Sequence, residues 1–232
     1  MSTDRRIVLF DLFGVIACHQ RPGALGQMAA RCGAPADAFA DAYWAYRPAH
    51  DAAQQTAAAY WTTVLKRLSR PIDADTIEAL RLADIDSWSR VDDRMVTYAQ
   101  GLRDRAEVAL LSNIPSDHAD AFFAAQPWLR HLNLVAFSGK TKAAKPDSAA
   151  FHHCVTGLRA APSDFLFIDD REDNVRAAQA LGMTAHLFTH LDELTATIDT
   201  WLPPHRGPVG HRPGDRQGGP VLQVHGSGEA PF

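Results

Sequence analysis

Residues 165–183 read FLFIDDREDNVRAAQALGM, and this stretch decides the fold. Phe165 to Ile168 is a short apolar run with the brevity and aromatic, β-branched content of a buried strand. It stops at the pair Asp169-Asp170. Residues 172–181 then read as a helix, and Gly182 suits the left-handed position just past its end. A second apolar run at 184–188 follows, leading to a helix that extends to about Trp201. Strand, helix and strand at this spacing form a βαβ unit, whose strands are parallel.

The same alternation continues outward toward the N-terminus. A helix is expected at 92–103, a strand at 108–111 and a helix at 117–125. A strand at 134–137, a loop and a helix at 147–158 come next. The first strand is the run 7–12, which ends in Phe13-Gly14-Val15. The fold class is therefore α/β, a three-layered parallel sheet with helices on both faces. Residues 20–90 interrupt the alternation. They hold Ala-rich amphipathic segments punctuated by Pro22-Gly23, Pro35, Pro48 and Pro71, and predict four or five helices. This division gives a core of residues 1–18 and 91–202 and a helical insert of 19–90. From Pro203 the chain turns rich in Pro, Gly, Arg and His, so 203–232 is expected to be a disordered tail.

Composition narrows the function. In 232 residues the net charge is −4, which gives no general attraction to nucleic acid or to anionic lipid. No apolar run approaches the roughly 20 residues needed to span a bilayer, and the N-terminus lacks the apolar stretch of a signal peptide. Cys18, Cys32 and Cys154 are an odd number, far apart and without a CxxC pair. A cytoplasmic protein with reduced thiols is expected, without a nucleic-acid or membrane partner; the sequence is silent on oligomeric state.

In open α/β sheets ligands bind beyond the carboxyl ends of the strands. Those ends carry Asp11; Ser112 with Asn113; the loop bearing Lys140, Lys142 and Lys145-Pro146-Asp147; and Asp169-Asp170. Carboxylates converging there would repel one another without a cation, and hard oxygen ligands favour Mg²⁺. The hydroxyl, amide and lysine offer donors to phosphate oxygens, and Asp is an established covalent nucleophile toward phosphorus. Taken singly, each element reads as turn or capping chemistry; their order along the chain carries the inference. His152-His153-Cys154 lies within one helix, where neighbours diverge by about 100° and cannot share a ligand. Tyr43, Trp44, Tyr46, Tyr60 and Trp61 in the insert suit either packing between helices or a pocket wall.

That order resembles the haloacid dehalogenase superfamily of hydrolases. The matching pieces are FDLFGVI (10–16), LLSN (110–113), KPD (145–147), FIDDREDN (167–174) and AAQALGM (177–183). The resemblance implies a Rossmann-like core with a helical cap of the C1 type, most similar to sugar-phosphate phosphatases and the phosphatase domain of epoxide hydrolases. It implies Asp11 as nucleophile, Ser112 and Asn113 on the transferring phosphoryl group, and Lys145 stabilising its charge. Asp11, Asp169 and Asp170 would bind Mg²⁺, with the backbone carbonyl of Phe13 as a further ligand. The substrate so implied is a small phosphorylated metabolite.

Phe13 departs from that pattern, because most phosphatases of the superfamily place there a second Asp that protonates the leaving group. Such acid–base help is worth on the order of 10² to 10⁴ in rate. Several readings stay open. The leaving group departs unaided, as an anomeric or acyl phosphate would, or a group such as His19 supplies the proton. Alternatively the substrate is a 2-haloacid, with Arg47 binding its carboxylate or halide; true dehalogenases carry an aromatic residue at this position but lack the Asp169-Asp170 pair. Last, the fold has lost catalysis and serves as a binding module.

Overall fold

The computed structural model describes residues 5–203. Five parallel strands form one sheet: β1 (Ile7–Phe10), β2 (Glu107–Ser112), β3 (Leu134–Phe137), β4 (Phe165–Asp169) and β5 (Thr184–Leu187). Their order is β3-β2-β1-β4-β5, so β1 is central and pairs with β2 on one side and β4 on the other. The chain winds outward in both directions from β1, and the crevice at such a switch point is where a ligand fits. β1 is buried along its whole length. A central strand covered on both faces reads as a continuous apolar run rather than an alternating one, and IVLF is such a run.

Helices α5 (Asp93–Gly101), α6 (Ser116–Ala125), α7 (Ser138–Thr141), α8 (Ser148–Leu158), α9 (Glu172–Ala180) and α10 (Leu191–Trp201) complete the layers. One face of the sheet packs Val8, Phe10, Leu110 and Ile168 against residues of α5, α6 and α10. The other packs Ile7, Leu9, Leu111 and Phe167 against α8 and α9. Local caps fix the helix starts: Asp92 accepts from the Arg94 amide at 2.9 Å and Asp147 from the Ala149 amide at 2.9 Å. The segment after β3, expected as a loop, includes the single turn α7.

The insert consists of four helices, α1 (Ala24–Arg31), α2 (Ala36–Asp51), α3 (Ala57–Arg67) and α4 (Ala74–Ser87). They enclose a core of their own around Phe39, Tyr43, Tyr60, Trp61 and Leu80. Pro48 does not end a helix as its type suggests, because α2 runs through it to Asp51. Pro48 has no N–H to donate to the Trp44 carbonyl, and both residues are exposed to water. The insert leaves and rejoins the core through adjacent segments. Ala17 and Val91 form an antiparallel bridge, the Cys18 amide donates to the Arg90 carbonyl at 3.0 Å, and the Asp92 amide donates to the Ile16 carbonyl at 2.9 Å.

Among the described residues no helix is long and apolar enough to cross a membrane. The three cysteines are unpaired, and burial pushes the Cys154 thiol up to about 12. The tail expected from Pro203 onward lies outside the described residues, Pro203 itself excepted.

Candidate active site

Asp11 follows β1 directly. Its amide donates to the Ile168 carbonyl at 2.8 Å, continuing the β1–β4 pairing by one residue. The Leu12 amide donates to Asp11 Oδ1 at 2.6 Å, so the turn holds the carboxylate that it creates. Lys145 reaches in from the segment before α8. Its Nζ lies 2.8 Å from Asp11 Oδ1 and 2.6 Å from Asp169 Oδ2, and all three side chains are buried. Asp169 is held on every side. The Arg171 amide donates to its Oδ1 at 2.9 Å, and Asn174 Nδ2 lies 3.0 and 3.1 Å from its two oxygens.

Asp170 completes the group, half-buried, with Oδ2 at 3.3 Å from His19 Nε2. One oxygen each from Asp11, Asp169 and Asp170 lie within 4.8 Å of one another. One ammonium against three carboxylates leaves the cluster net negative. A hard divalent cation suits this all-oxygen donor set, and Asp11, Asp169 and Asp170 are the residues that would hold it.

The electrostatics agree with that deficit. Burial pushes the Asp11 carboxyl up to about 7 against the pull of Lys145, and the charge of Asp169 adds to the rise. Asp170 is raised by burial and then by Asp169. Burial would lower the Lys145 ammonium, but Asp11 and Asp169 outweigh it and hold it above its ordinary range.

Ser112 and Asn113 follow from the end of β2. Ser112 Oγ is buried and has no hydrogen-bond partner in the protein, which is rare for a buried hydroxyl and leaves it able to serve a ligand oxygen. The Asn113 side chain grips the Lys145 backbone. Its Nδ2 donates to the Lys145 carbonyl at 2.8 Å, and its Oδ1 accepts from the Lys145 amide at 2.8 Å. Asn113 thus fixes the segment from which Lys145 extends, whose Lys145–Pro146 peptide is cis.

A crevice of about 350 Å³ opens over these groups, lined by Asp11, Lys145, Asn113, Asp170 and Asn174 from the core and by Trp44, Arg47, Asp51 and Trp88 from the insert side. Arg47 is buried at its edge. Its Nε donates to Asp51 at 2.7 Å, and its Nη1 donates to Asp84 at 2.9 Å and to the Tyr43 hydroxyl. Phe13 also lines the crevice, and its ring packs edge-on against Trp88 at 4.9 Å and Phe122 at 5.8 Å.

Lys140 and Lys142 stay outside the crevice, Lys140 pairing with Asp120 on the surface at 2.7 Å. Of the insert's aromatic set, Tyr43, Tyr60 and Trp61 are core residues and Trp44 reaches the crevice. Sequence reasoning missed Trp88 and Asp51. Trp88 sits at the end of α4, where no local pattern distinguishes it from an exposed aromatic. Asn174, five residues past Asp169, was visible only as the end of the FIDDREDN run.

A family model, that of the haloacid dehalogenase-like hydrolases, matches residues 6–182. Among solved structures the chain is similar to bt-2542 of Bacteroides thetaiotaomicron, described as a family enzyme in complex with magnesium and inorganic phosphate. The TM-score is 0.67 at 20% identity, over 82% of this chain and 98% of that one. It is similar also to the 2-haloacid dehalogenase of Pseudomonas syringae pv. Tomato DC3000, at a TM-score of 0.62 and 14% identity over 85% and 99% of the two chains. Over 110 residues, 45% of this chain, it is 31% identical to drimenol cyclase drtB of Aspergillus calidoustus. That match spans about a fifth of the cyclase, 21% of its length.

Proposed function

Because the chain belongs to the haloacid dehalogenase-like hydrolases, we propose that it is a magnesium-dependent phosphohydrolase acting on a small phosphorylated metabolite through an aspartyl-phosphate. The observation that carries this reading is the cluster itself: three acidic oxygens within 4.8 Å of one another, beside a buried lysine that touches two of the three carboxylates. A carbon-centred displacement needs one carboxylate and a cation for the leaving anion. The further acidic pair serves a metal, and a metal serves phosphate.

Bound magnesium would neutralise the cluster and polarise the phosphoryl oxygens. The protein groups do the rest. Asp11 attacks phosphorus, forming one P–O bond as the bond to the leaving oxygen breaks and its electron pair departs with that oxygen. Lys145 and Ser112 Oγ balance the charge on the phosphoryl oxygens. Water then attacks the same phosphorus, and the P–O bond to Asp11 breaks and releases its carboxylate. Both protons of the water leave with the product as dihydrogen phosphate, which passes one to solvent near neutral pH. Phe13 offers no proton, so the leaving group departs as a stable anion, as the oxygen of an acyl, aryl or anomeric phosphate does. The helical insert acts as the cap that closes the crevice against bulk water.

One observation favours a second reading, 2-haloacid dehalogenation, in which the aromatic Phe13 is expected and a halide leaves without protonation. The carboxylate of a haloacid needs a partner, however, and Arg47 already holds Asp51 and Asp84. The test is a panel of acetyl phosphate, p-nitrophenyl phosphate, a sugar 1-phosphate and 2-chloropropionate, each with Mg²⁺ and with excess chelator. Phosphate release that requires the metal is expected. Chloride release in chelator would overturn the assignment, and no turnover of any compound would leave the chain a binding module.

A further inference from the structure

The crevice shares a wall with a second cavity. This space, of about 280 Å³, lies between α4 of the insert and α6 of the core. Leu82, Ile85, Ile114, Ala121, Phe122 and Ala125 form its apolar walls, and Asp86, Ser89 and His118 also line it, His118 facing Asp84 at 3.1 Å. Phe13 and Trp88 line both spaces, so their edge-on ring pair is the boundary between a polar chamber and a mostly apolar one. Leu82, one of the lining residues, is 52% exposed, so the space opens to solvent beside it.

The charges lining the polar chamber narrow what the ligand carries. Lys145 is held by Asp11 and Asp169, Arg47 by Asp51 and Asp84, and Arg171 by Asp173 at 2.9 Å. His19 faces Asp170. Among the described residues that line the crevice, each cationic or imidazole side chain therefore already faces a carboxylate. One phosphoryl group fits at Ser112, Lys145 and the acidic cluster; a second anionic group on the same molecule finds no cation without a partner. The walls beyond are aromatic and then mostly aliphatic, and the charged groups among them are themselves paired, His118 with Asp84 and Asp86 with Arg21.

Resting on the phosphohydrolase reading, we infer that the substrate is an amphiphile: a single phosphoryl head on an apolar body that runs along the Phe13–Trp88 edge into the cavity between α4 and α6. Phe13 then has a positive role, since its ring offers an apolar surface where the tail passes from one chamber to the other. The class so defined is a monophosphate of an apolar acid, phenol or comparably stable anion, as distinct from a polyhydroxylated sugar phosphate.

The test separates the tail from the chemistry. Calorimetric titration with methyl-, butyl-, hexyl- and octylphosphonate in Mg²⁺ reads binding without turnover. Burial of a methylene is worth up to about fourfold in affinity, so octylphosphonate is expected to bind at least about 20-fold more tightly than methylphosphonate. Ala121→Trp, which fills the cavity, and Leu82→Asp, a substitution at an exposed position, should each reduce that gradient to about threefold or less while circular dichroism stays native. An affinity that ignores chain length in the unaltered protein would overturn the inference. So would a gradient that survives both substitutions, since the tail would then lie elsewhere. Acetyl and octanoyl phosphate, which share a carboxylate leaving group, read the chemistry: a kcat/KM ratio favouring octanoyl supports the inference. If neither releases phosphate while the phosphonate gradient holds, the hydrolase reading fails and the cavity assignment stands.

Discussion

Gly14 faces Asp170 so closely that a Cβ on residue 14 would lie 2.2 Å from Asp170 Oδ2 and 2.6 Å from His19 Cε1. The backbone there has φ +89°, which a side chain adopts only under strain. The glycine after Phe13 is thus what lets the fourth strand's carboxylate approach the first strand's. Gly14→Ala is expected to displace Asp170 and raise the Mg²⁺ concentration for half-maximal rate by at least about tenfold. The strained backbone adds a stability cost of about 1 kcal/mol. Magnesium titration of the rate and a urea midpoint measure both; an unchanged magnesium requirement refutes the placement.

Asp11→Asn should abolish phosphate release while leaving the fold intact, and it should also stabilise the metal-free protein. The folded carboxyl of Asp11 is raised to about 7, above its ordinary value. Its contribution to stability is therefore complete below about pH 4 and is lost as pH rises through about 7. The amide does not titrate. In chelator the thermal midpoint of Asp11→Asn should exceed that of the native chain at pH 8, with the gain shrinking toward pH 5. A lower midpoint at pH 8 would show that Lys145 needs both carboxylates.

Phe13→Asp restores the usual acid at a cost. It removes an aromatic ring packed on Trp88 and Phe122 and adds a carboxylate beside three others. Loss of the packing should destabilise the protein by about 2–4 kcal/mol. Turnover of alkyl phosphates, whose alkoxide leaves poorly, should rise relative to p-nitrophenyl phosphate. The ratio of the two rates is the measurement, and a constant ratio means that protonation does not limit the native range.

His50 is buried against Tyr60, with ring centroids 4.6 Å apart, and neither ring nitrogen has a hydrogen-bond partner in the protein. Burial, then the charge of Arg47, lowers its pKa. A histidine lowered in the folded state contributes stability that is complete above about pH 6.5 and declines as pH falls below it, because only the unfolded chain gains the proton. His50→Phe should remove that decline and relieve an unsatisfied polar group worth about 1–3 kcal/mol. Urea midpoints should rise more at pH 5.5 than at pH 7.5; an equal rise at both would contradict the shift.

The strand ends were legible because each is an apolar run that stops at a polar residue, and the register follows once β1 is central. Lys145 was legible by its place before α8, and its contact with two carboxylates agrees with the charge logic that called for a cation. The setting of Arg47 was not legible. Its partner Asp84 comes from α4, and His118 of α6 stands 3.1 Å from the same carboxylate, so three helices distant in sequence fix one guanidinium. Burial would raise the Asp84 carboxyl, but Arg47 and His118 outweigh it and hold it low. No periodicity encodes such a cluster, since each residue alone reads as a polar face. Trp88 was hidden for the same reason. Turn α7 was missed because four residues carry too little pattern to register as a helix.

The paired crossings at Ala17 and Val91 bear on how the molecule assembles. Ile7 lies beside Glu107 in the sheet, so β1 must find a partner roughly a hundred residues downstream, a closure whose entropic cost grows with loop length. Once the four inserted helices pack on their own core and Ala17 meets Val91, the open loop between Ile7 and Glu107 shrinks from about a hundred residues to the 8–16 and 92–106 segments. An insert that folded first would therefore lower the entropic cost of bringing β2 to β1. A foreign helical unit whose ends met equally closely should be accepted in its place.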